Sequence, residues 1–249
     1  MAITIKNEKH IQSMREAGKI NAEVLELLKS YIKPGISTKE LDKIAFDFIK
    51  SKDAIPSFKG YGGFPATICA SVNNQLIHGI PSDIILKEGD IISIDVGTYK
   101  NGFHADAART FPVGNISKEA NKLIEVTEQS FFEGIKFAKV GYYLYDISSS
   151  IEKYVENNGF SIVRDYVGHG IGKNLHEDPQ VPNYRPLGKK GPKLIKGMTL
   201  AIEPMVNFGA KDIKVLQDGW TVVTKDGSLC AHYENTILIT EEEPEILTL

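Results

Sequence analysis

Apolar residues at Ile11, Met14, Ile20, Val24, Leu27 and Leu28 fall at helical spacing and stop at the breaker Pro34-Gly35. Just beyond it, Ser37-x-x-Glu40 has the spacing of a capping box. Leu41, Ile44, Ala45, Phe48 and Ile49 then share one face, which predicts a second helix. The design returns near Ser117. Leu123, Ile124, Val126, Phe131 and Ile135 predict a third helix, Val140-Gly141 breaks it, and Ile147, Ile151, Tyr154 and Val155 predict a fourth that stops at Asn158-Gly159.

Setting Gly35 on Gly141, an offset of 106 residues, superposes Leu41 on Ile147, Phe48 on Tyr154 and Ile49 on Val155. Each predicted helix pair leads to an apolar run of strand character, GDIISIDVG from Gly89 and GMTLAIEPMV from Gly197, offset by 108. The sixth residue after each glycine is a carboxylate, Asp95 in one and Glu203 in the other. An unpaired charge ending a buried strand is costly, so its recurrence in both halves points to a shared task. The expected architecture is a single α+β domain spanning residues 1–249, with pseudo-repeats of about 1–115 and 116–249. Its mostly antiparallel, curved sheet is backed by two helix pairs and carries a site at its centre.

Composition narrows the picture. The chain has 249 residues, 42% hydrophobic and 24% charged, enough for a sizeable core. Its formal net charge of −3 gives no electrostatic footprint for nucleic acid. No apolar run reaches the roughly 18 residues of a membrane span, and the N-terminal MAITIKNEKHIQSMREAG has no continuous apolar stretch of signal-peptide type. With two cysteines, Cys69 and Cys230, disulfides do not organise the fold, and a cytoplasmic protein is expected; a monomer is expected as well.

Five residues form a candidate metal-ligand set: Asp95, Asp106, His169, Glu203 and Glu234. Asn101-Gly102 is a hairpin signal between the two aspartates, so they are expected to face each other across adjacent strands. His169 stands in VGHGIG, whose glycines are expected to let the backbone approach whatever the imidazole binds. Four carboxylates and an imidazole form a hard set suited to Co²⁺, Mn²⁺, Fe²⁺ or Zn²⁺, and two divalent cations would cancel the charge. His104 and His232 each precede a ligand by two residues, which predicts the same strand face and a supporting or packing role. His10 reads as a surface residue. GHGIGK is no phosphate loop, because Val167 and Asn174 stand where that pattern needs Gly and Ser or Thr.

The strings HGIP (78–81), DVG with a later Asp (95–106), GHGIG (168–172), IEP (202–204) and YENT (233–236) resemble, in order, those of the type I methionine aminopeptidases of short bacterial form, from about Ile11 onward. The resemblance implies the pita-bread fold and two divalent cations. Asp95 would bind one of them bidentately, Asp106 and Glu234 would bridge, and His169 and Glu203 would complete the other. It further implies hydrolysis of the Met-Xaa bond at the N-termini of nascent polypeptides, at the ribosome, when the second residue is small. Glu203 would shuttle the proton, His176 stabilise the oxyanion and His78 hold the scissile amide. Phe58, Tyr61, Phe64, Cys69 and Trp220 would line the methionine pocket, and a monovalent cation would sit on backbone oxygens near Asn73, Gln75 and Cys230. Leu175 and Phe64 depart from the common pattern and reshape the pocket.

Proline-specific relatives of that fold usually carry a further N-terminal domain, and none is expected here, where the helical pattern starts near Ile11. Metal-free relatives have lost ligands, whereas all five are present. The type II enzymes carry a helical insertion, and here 34 residues separate His169 from Glu203.

Overall fold

The computed structural model describes residues 2–249. Helices α1 (Glu8–Tyr31) and α2 (Thr38–Ser51) lead into β1 (Ile55–Pro56), β2 (Ile68–Val72), β3 (Gln75–Ile77), β4 (Ile91–Lys100) and β5 (Phe103–Pro112). Then come α3 (Lys118–Ile135), α4 (Leu144–Asn157), β6 (Ser161–Ile162), β7 (Gly168–Gly170) and β8 (Glu177–Val181). The chain ends with β9 (Thr199–Ile202), β10 (Met205–Asn207), β11 (Ile213–Val215), β12 (Val222–Thr224), β13 (Cys230–His232), β14 (Asn235–Leu238) and β15 (Glu245–Ile246).

The duplication read from spacing is present in the backbone. Ser37 caps α2 with its hydroxyl while its own N–H donates to Glu40 at 2.8 Å, and the Tyr143 N–H donates to Asp146 at 2.9 Å at the start of α4. Gly35 and Gly141 both have left-handed φ, 97° and 104°, which lets the chain turn sharply into each cap. Isolated bridges join Ser37 to Ile85 and Tyr143 to Lys193, and Leu86 and Leu194 donate to the Ile36 and Tyr142 carbonyls at 2.9 and 3.0 Å. The helix arms are thus offset by 106 residues and the strand arms by 108, as expected.

Every pairing between named strands is antiparallel. The sheet is divided into four hydrogen-bonded groups. One division follows from Pro204, which has no N–H to give and separates β9 from β10. Behind the strands lie two apolar cores, one per helix pair. Val24, Leu28, Leu41, Ile49, Ile92 and Ile94 fill one. Leu123, Phe131, Ile147, Ile151, Leu200 and Ile237 fill the other. Truncating one of these fully buried side chains to alanine removes about 2–5 kcal/mol. Asn21, buried on α1, donates its amide to the Val96 and Ala105 carbonyls and fixes the helix across β4 and β5.

The two halves meet along β5 and the segment 232–236. Ala108 and Glu234 exchange backbone hydrogen bonds at 3.3 and 2.9 Å. On one side of that pair the Thr236 hydroxyl accepts from the Asp106 N–H and donates to its carbonyl, both at 2.9 Å. On the other side the Thr110 hydroxyl does the same for His232, again at 2.9 Å in both directions. A pseudo-twofold axis therefore passes between Ala108 and Glu234 and relates Asp106 to His232.

Candidate metal centre

Each candidate ligand is placed by a local feature of its strand. Asn101 and Gly102 have φ of 50° and 86°, the two-residue turn the hairpin signal called for, and Lys100 pairs with Phe103. In the resulting register Asp95 is opposite Ala108 and Asp106 is opposite Gly97. The aspartates are therefore diagonal neighbours on one face rather than directly opposed, because the turn length fixes the register two residues out of step. Glu203 and Glu234 stand in the breaks β9–β10 and β13–β14, where the ladder no longer dictates side-chain direction. His169 is in β7 at a register shift between His169 and Gly170.

The flanking glycines serve a different purpose from the one expected. A Cβ on Gly168 would lie 2.3 Å from the Ala201 carbonyl oxygen, and one on Gly170 would lie 2.2 Å from that of Asp178. The close approach is to neighbouring strands, which packs β7 tightly enough to fix the imidazole. The Gly170 carbonyl can only accept, so the 2.8 Å contact makes His169 Nδ1 the protonated nitrogen and leaves the Nε2 lone pair free. That lone pair lies 3.7 Å from Glu203 Oε1 and 4.0 Å from Asp106 Oδ2. These separations are too long for hydrogen bonds and suit atoms that share a cation at about 2.0–2.2 Å each.

The electrostatics fit a cation. Asp95 Oδ1, Asp106 Oδ1, Glu234 Oε1 and His232 Nε2 are buried without a hydrogen-bond partner. Burial raises the Asp106 carboxyl well above its ordinary value, and the charges of Glu234 and Asp95 add to it. Burial, then Asp106 and Asp95, does the same for Glu203. Burial, then Glu203 and Asp95, raises Glu234, against the pull of Arg109. Asp95 is pushed up to about 7 by burial. His169 and His232 are pushed down to about 3 by burial, so both imidazoles are neutral. A cluster that holds charge so reluctantly on its own is stabilised by divalent cations. Arg109 closes it from behind, donating to the Ala108 and Glu234 carbonyls and to Asn235 Oδ1.

The pocket in front is lined by Phe58, Tyr61, Phe64, Cys69, His78, Leu175, His176 and Trp220, with all five candidate ligands in its wall. All the pocket residues expected from sequence are brought together, and Leu175 joins them. Cys69 is opposite Asp95 in the β2–β4 register. Burial raises its thiol well above the usual range, so it is an apolar wall rather than a thiolate ligand. Phe64 meets Trp220 edge-on at 5.2 Å. His176 Nδ1 is 2.7 Å from the Tyr61 hydroxyl, and its ring centroid is 4.2 Å from that of His169. His78 has a φ of 57°, in the left-handed region. Such a conformation in a non-glycine residue costs of order 1–3 kcal/mol and is retained where it aims a side chain.

The expected off-site histidines divide. His104 turns to Ser57 at 2.9 Å and to the Tyr99 ring, outside the cluster. His10 rests on Phe103 with ring centroids 5.0 Å apart. His232 is drawn in, with Nε2 3.6 Å from Glu234 Oε2 and 4.0 Å from Glu203 Oε2. Its signal in the sequence was the two-residue spacing before Glu234. Asn73 and Cys230 also meet, the Asn73 carbonyl accepting from the Cys230 N–H at 3.1 Å and its thiol at 3.3 Å, while the Gln75 side chain accepts from the Val72 N–H.

Known proteins agree with this geometry. The family model described as metallopeptidase family M24 matches residues 12–241. The methionine aminopeptidase of Clostridium perfringens is 62% identical over 247 residues, covering 99% of each chain. The crystal structure of the methionine aminopeptidase of Thermotoga maritima superposes with a TM-score of 0.97 at 46% identity, covering 99% of both chains. The prolidase of Pyrococcus furiosus has the same fold, with a TM-score of 0.81 at 22% identity over 98% of this chain and 65% of its own.

Proposed function

The chain belongs to the methionine aminopeptidases of metallopeptidase family M24, and from that premise we propose a division of labour within its pocket. The chain removes the N-terminal methionine of nascent proteins by metal-dependent hydrolysis. The observation that carries the rest is the convergence of two buried carboxylates, Asp106 and Glu234, two half-buried ones, Asp95 and Glu203, and His169 in the wall of an apolar pocket.

Asp95, Asp106, His169, Glu203 and Glu234 would hold two divalent cations, with Asp106 and Glu234 contributing to both. Bound there, Co²⁺, Mn²⁺, Fe²⁺ or Zn²⁺ would acidify water to near-neutral pKa and polarise the scissile carbonyl. Glu203, whose carboxyl is raised by burial, takes the proton from the attacking water and passes it to the leaving amine. Tyr61 donates its hydroxyl proton to His176 Nδ1, which puts the imidazole proton on Nε2, where it stabilises the oxyanion. His78, neutral because burial pushes it down to about 4, holds the scissile amide. Phe58, Tyr61, Phe64, Cys69 and Trp220 receive the thioether, and the residue after methionine must be small because His78 and His176 crowd its side chain.

The working unit is the monomer, a single domain of residues 1–249, acting in the cytoplasm on chains leaving the ribosome. No helix among the described residues is long and apolar enough to cross a membrane. A monovalent cation on backbone oxygens near Asn73, Gln75 and Cys230 would brace the β2–β3 turn against β13. Calorimetric titration of the metal-free protein with Mn²⁺ tests the centre. Two sites are expected, and at most one in Asp106→Ala. A single site in the parent, or two undisturbed sites in the variant, would refute the bridging assignment.

A further inference from the structure

His232 is the last residue of β13, 2% exposed, and its Nε2 has no hydrogen-bond partner. Its distances to carboxylate oxygens, 3.6 Å to Glu234 and 4.0 Å to Glu203, nearly repeat those of His169, 3.7 Å to Glu203 and 4.0 Å to Asp106. A histidine that merely steadied Glu234 would donate to it at about 2.7–3.2 Å. The 3.6 Å between His232 Nε2 and Glu234 is the spacing of two ligands on one cation, each about 2.0–2.2 Å from it. Two groups of ligand atoms lie within 4.8 Å of one another, Asp106 with His169 and Glu234, and Asp95 with His232 and Glu234. Glu234 belongs to both, as a residue between two cations must.

The duplication explains why an imidazole is found there. Thr110 holds the His232 backbone as Thr236 holds that of Asp106, about the mutual Ala108–Glu234 pair. His232 thus occupies in the second half the position that Asp106 occupies in the first, and points at the same centre. His104, which stands two residues before Asp106 as His232 stands before Glu234, instead turns away from the centre to Ser57 and the Tyr99 ring.

We propose that His232 is a sixth protein ligand of the centre, binding through Nε2 the cation held by Asp95 and Glu234, so that each of the two cations has one imidazole. The proposal rests on the dinuclear reading above. A neutral nitrogen added to four carboxylates leaves the charge balance with two divalent cations unchanged. It strengthens the Asp95 side, which otherwise has oxygen ligands alone.

The test uses the intact metal-free protein titrated anaerobically with Co²⁺, with cations counted by calorimetry. Proton NMR is recorded in H₂O and D₂O. A cobalt-bound imidazole shows its N–H as a strongly shifted resonance that disappears in D₂O. Two such resonances are expected, with one lost in His232→Gln and the other in His169→Gln. In His232→Gln one of the two affinities should fall at least tenfold while the other holds. With two equivalents bound, a single resonance in the parent overturns the proposal, as does retention of both resonances in His232→Gln. The parent's count decides even where a variant does not fold. Binding of only one equivalent would remove the dinuclear reading, and loss of the remaining resonance in His232→Gln or in His169→Gln would then decide His232.

Discussion

Replacing Asp95 by asparagine should make the metal-free protein more stable while it cripples the metal-loaded one. Asp95 keeps a small opening to the pocket, but its Oδ1 is buried without a partner, and burial moves its pKa from an ordinary 3.8 to about 7. A raised folded-state pKa contributes stability that is complete below about pH 3.8 and is lost as pH climbs through 7. Each unit is worth about 1.36 kcal/mol, so Asp95 costs about 1 kcal/mol at pH 4.5 and about 4 kcal/mol at pH 7.5. Asparagine has nearly the same shape and no charge to bury. The wild-type pH profile alone would mislead, because His78 and His104 are depressed to about 4 and His169 and His232 to about 3. Those imidazoles contribute stability that is lost as pH falls below about 6.5, which opposes the carboxylates in the acid range. The difference between Asp95→Asn and wild type cancels that background. Urea unfolding in EDTA, followed by far-ultraviolet circular dichroism at pH 4.5 and 7.5, should show the variant's advantage growing by about 3 kcal/mol. With Mn²⁺ at 100 times its dissociation constant, wild type gains about 2.7 kcal/mol from the Asp95-side cation that the variant no longer holds, so the variant's lead of about 4 kcal/mol at pH 7.5 shrinks to about 1. An advantage that does not grow with pH, or one that metal leaves unchanged, would refute the reasoning.

His176→Ala should lower kcat on a Met-Ala-Ser peptide 10²–10³-fold, with metal affinity within a few-fold of wild type; near-normal kcat would remove the oxyanion role. Tyr61→Phe keeps the ring that lines the pocket and deletes one neutral hydrogen bond of about 0.5–1.5 kcal/mol, so kcat should fall roughly 2–13-fold with KM little changed. A change in KM alone would make Tyr61 a pocket wall only. Met-Ala, Met-Gly and Met-Ser peptides should be cleaved well, and Met-Leu, Met-Lys and Leu-Ala peptides poorly, as read by kcat/KM. Efficient cleavage of Xaa-Pro peptides lacking methionine would favour the proline-specific relatives.

Local signals were fully legible. Ser37 and Glu40 declare their helix start within four residues, Asn101-Gly102 its hairpin within two, and the offsets of 106 and 108 reappear as paired bridges and glycine turns. Contacts between distant segments were not. The mutual Ala108–Glu234 pair joins residues 126 apart, and the threonine hydroxyls beside it satisfy backbone groups that no local pattern assigns. The purpose of Gly168 and Gly170 was hidden for the same reason, since the carbonyls they avoid belong to Ala201 and Asp178.

The contrast between His104 and His232 shows what strand periodicity decides and what it leaves open. Each stands two residues before a ligand, and period-two alternation gives each the ligand's face. Two residues along an extended strand also cover about 6.6 Å, more than a ligand sphere spans. β5 runs unbroken from Phe103 to Pro112, so His104 is carried out to Ser57 and Tyr99. The strand after His232 is interrupted at Tyr233-Glu234, where Tyr233 donates to the Pro204 carbonyl and Glu234 turns to Ala108. That change of partner at the pseudo-twofold keeps His232 against the cluster instead of beyond it. A ladder interruption beside a buried carboxylate is therefore the feature that keeps a neighbouring histidine within the cluster rather than beyond it. Glu203, at the break made by Pro204, stands at the matching interruption on the strand alongside.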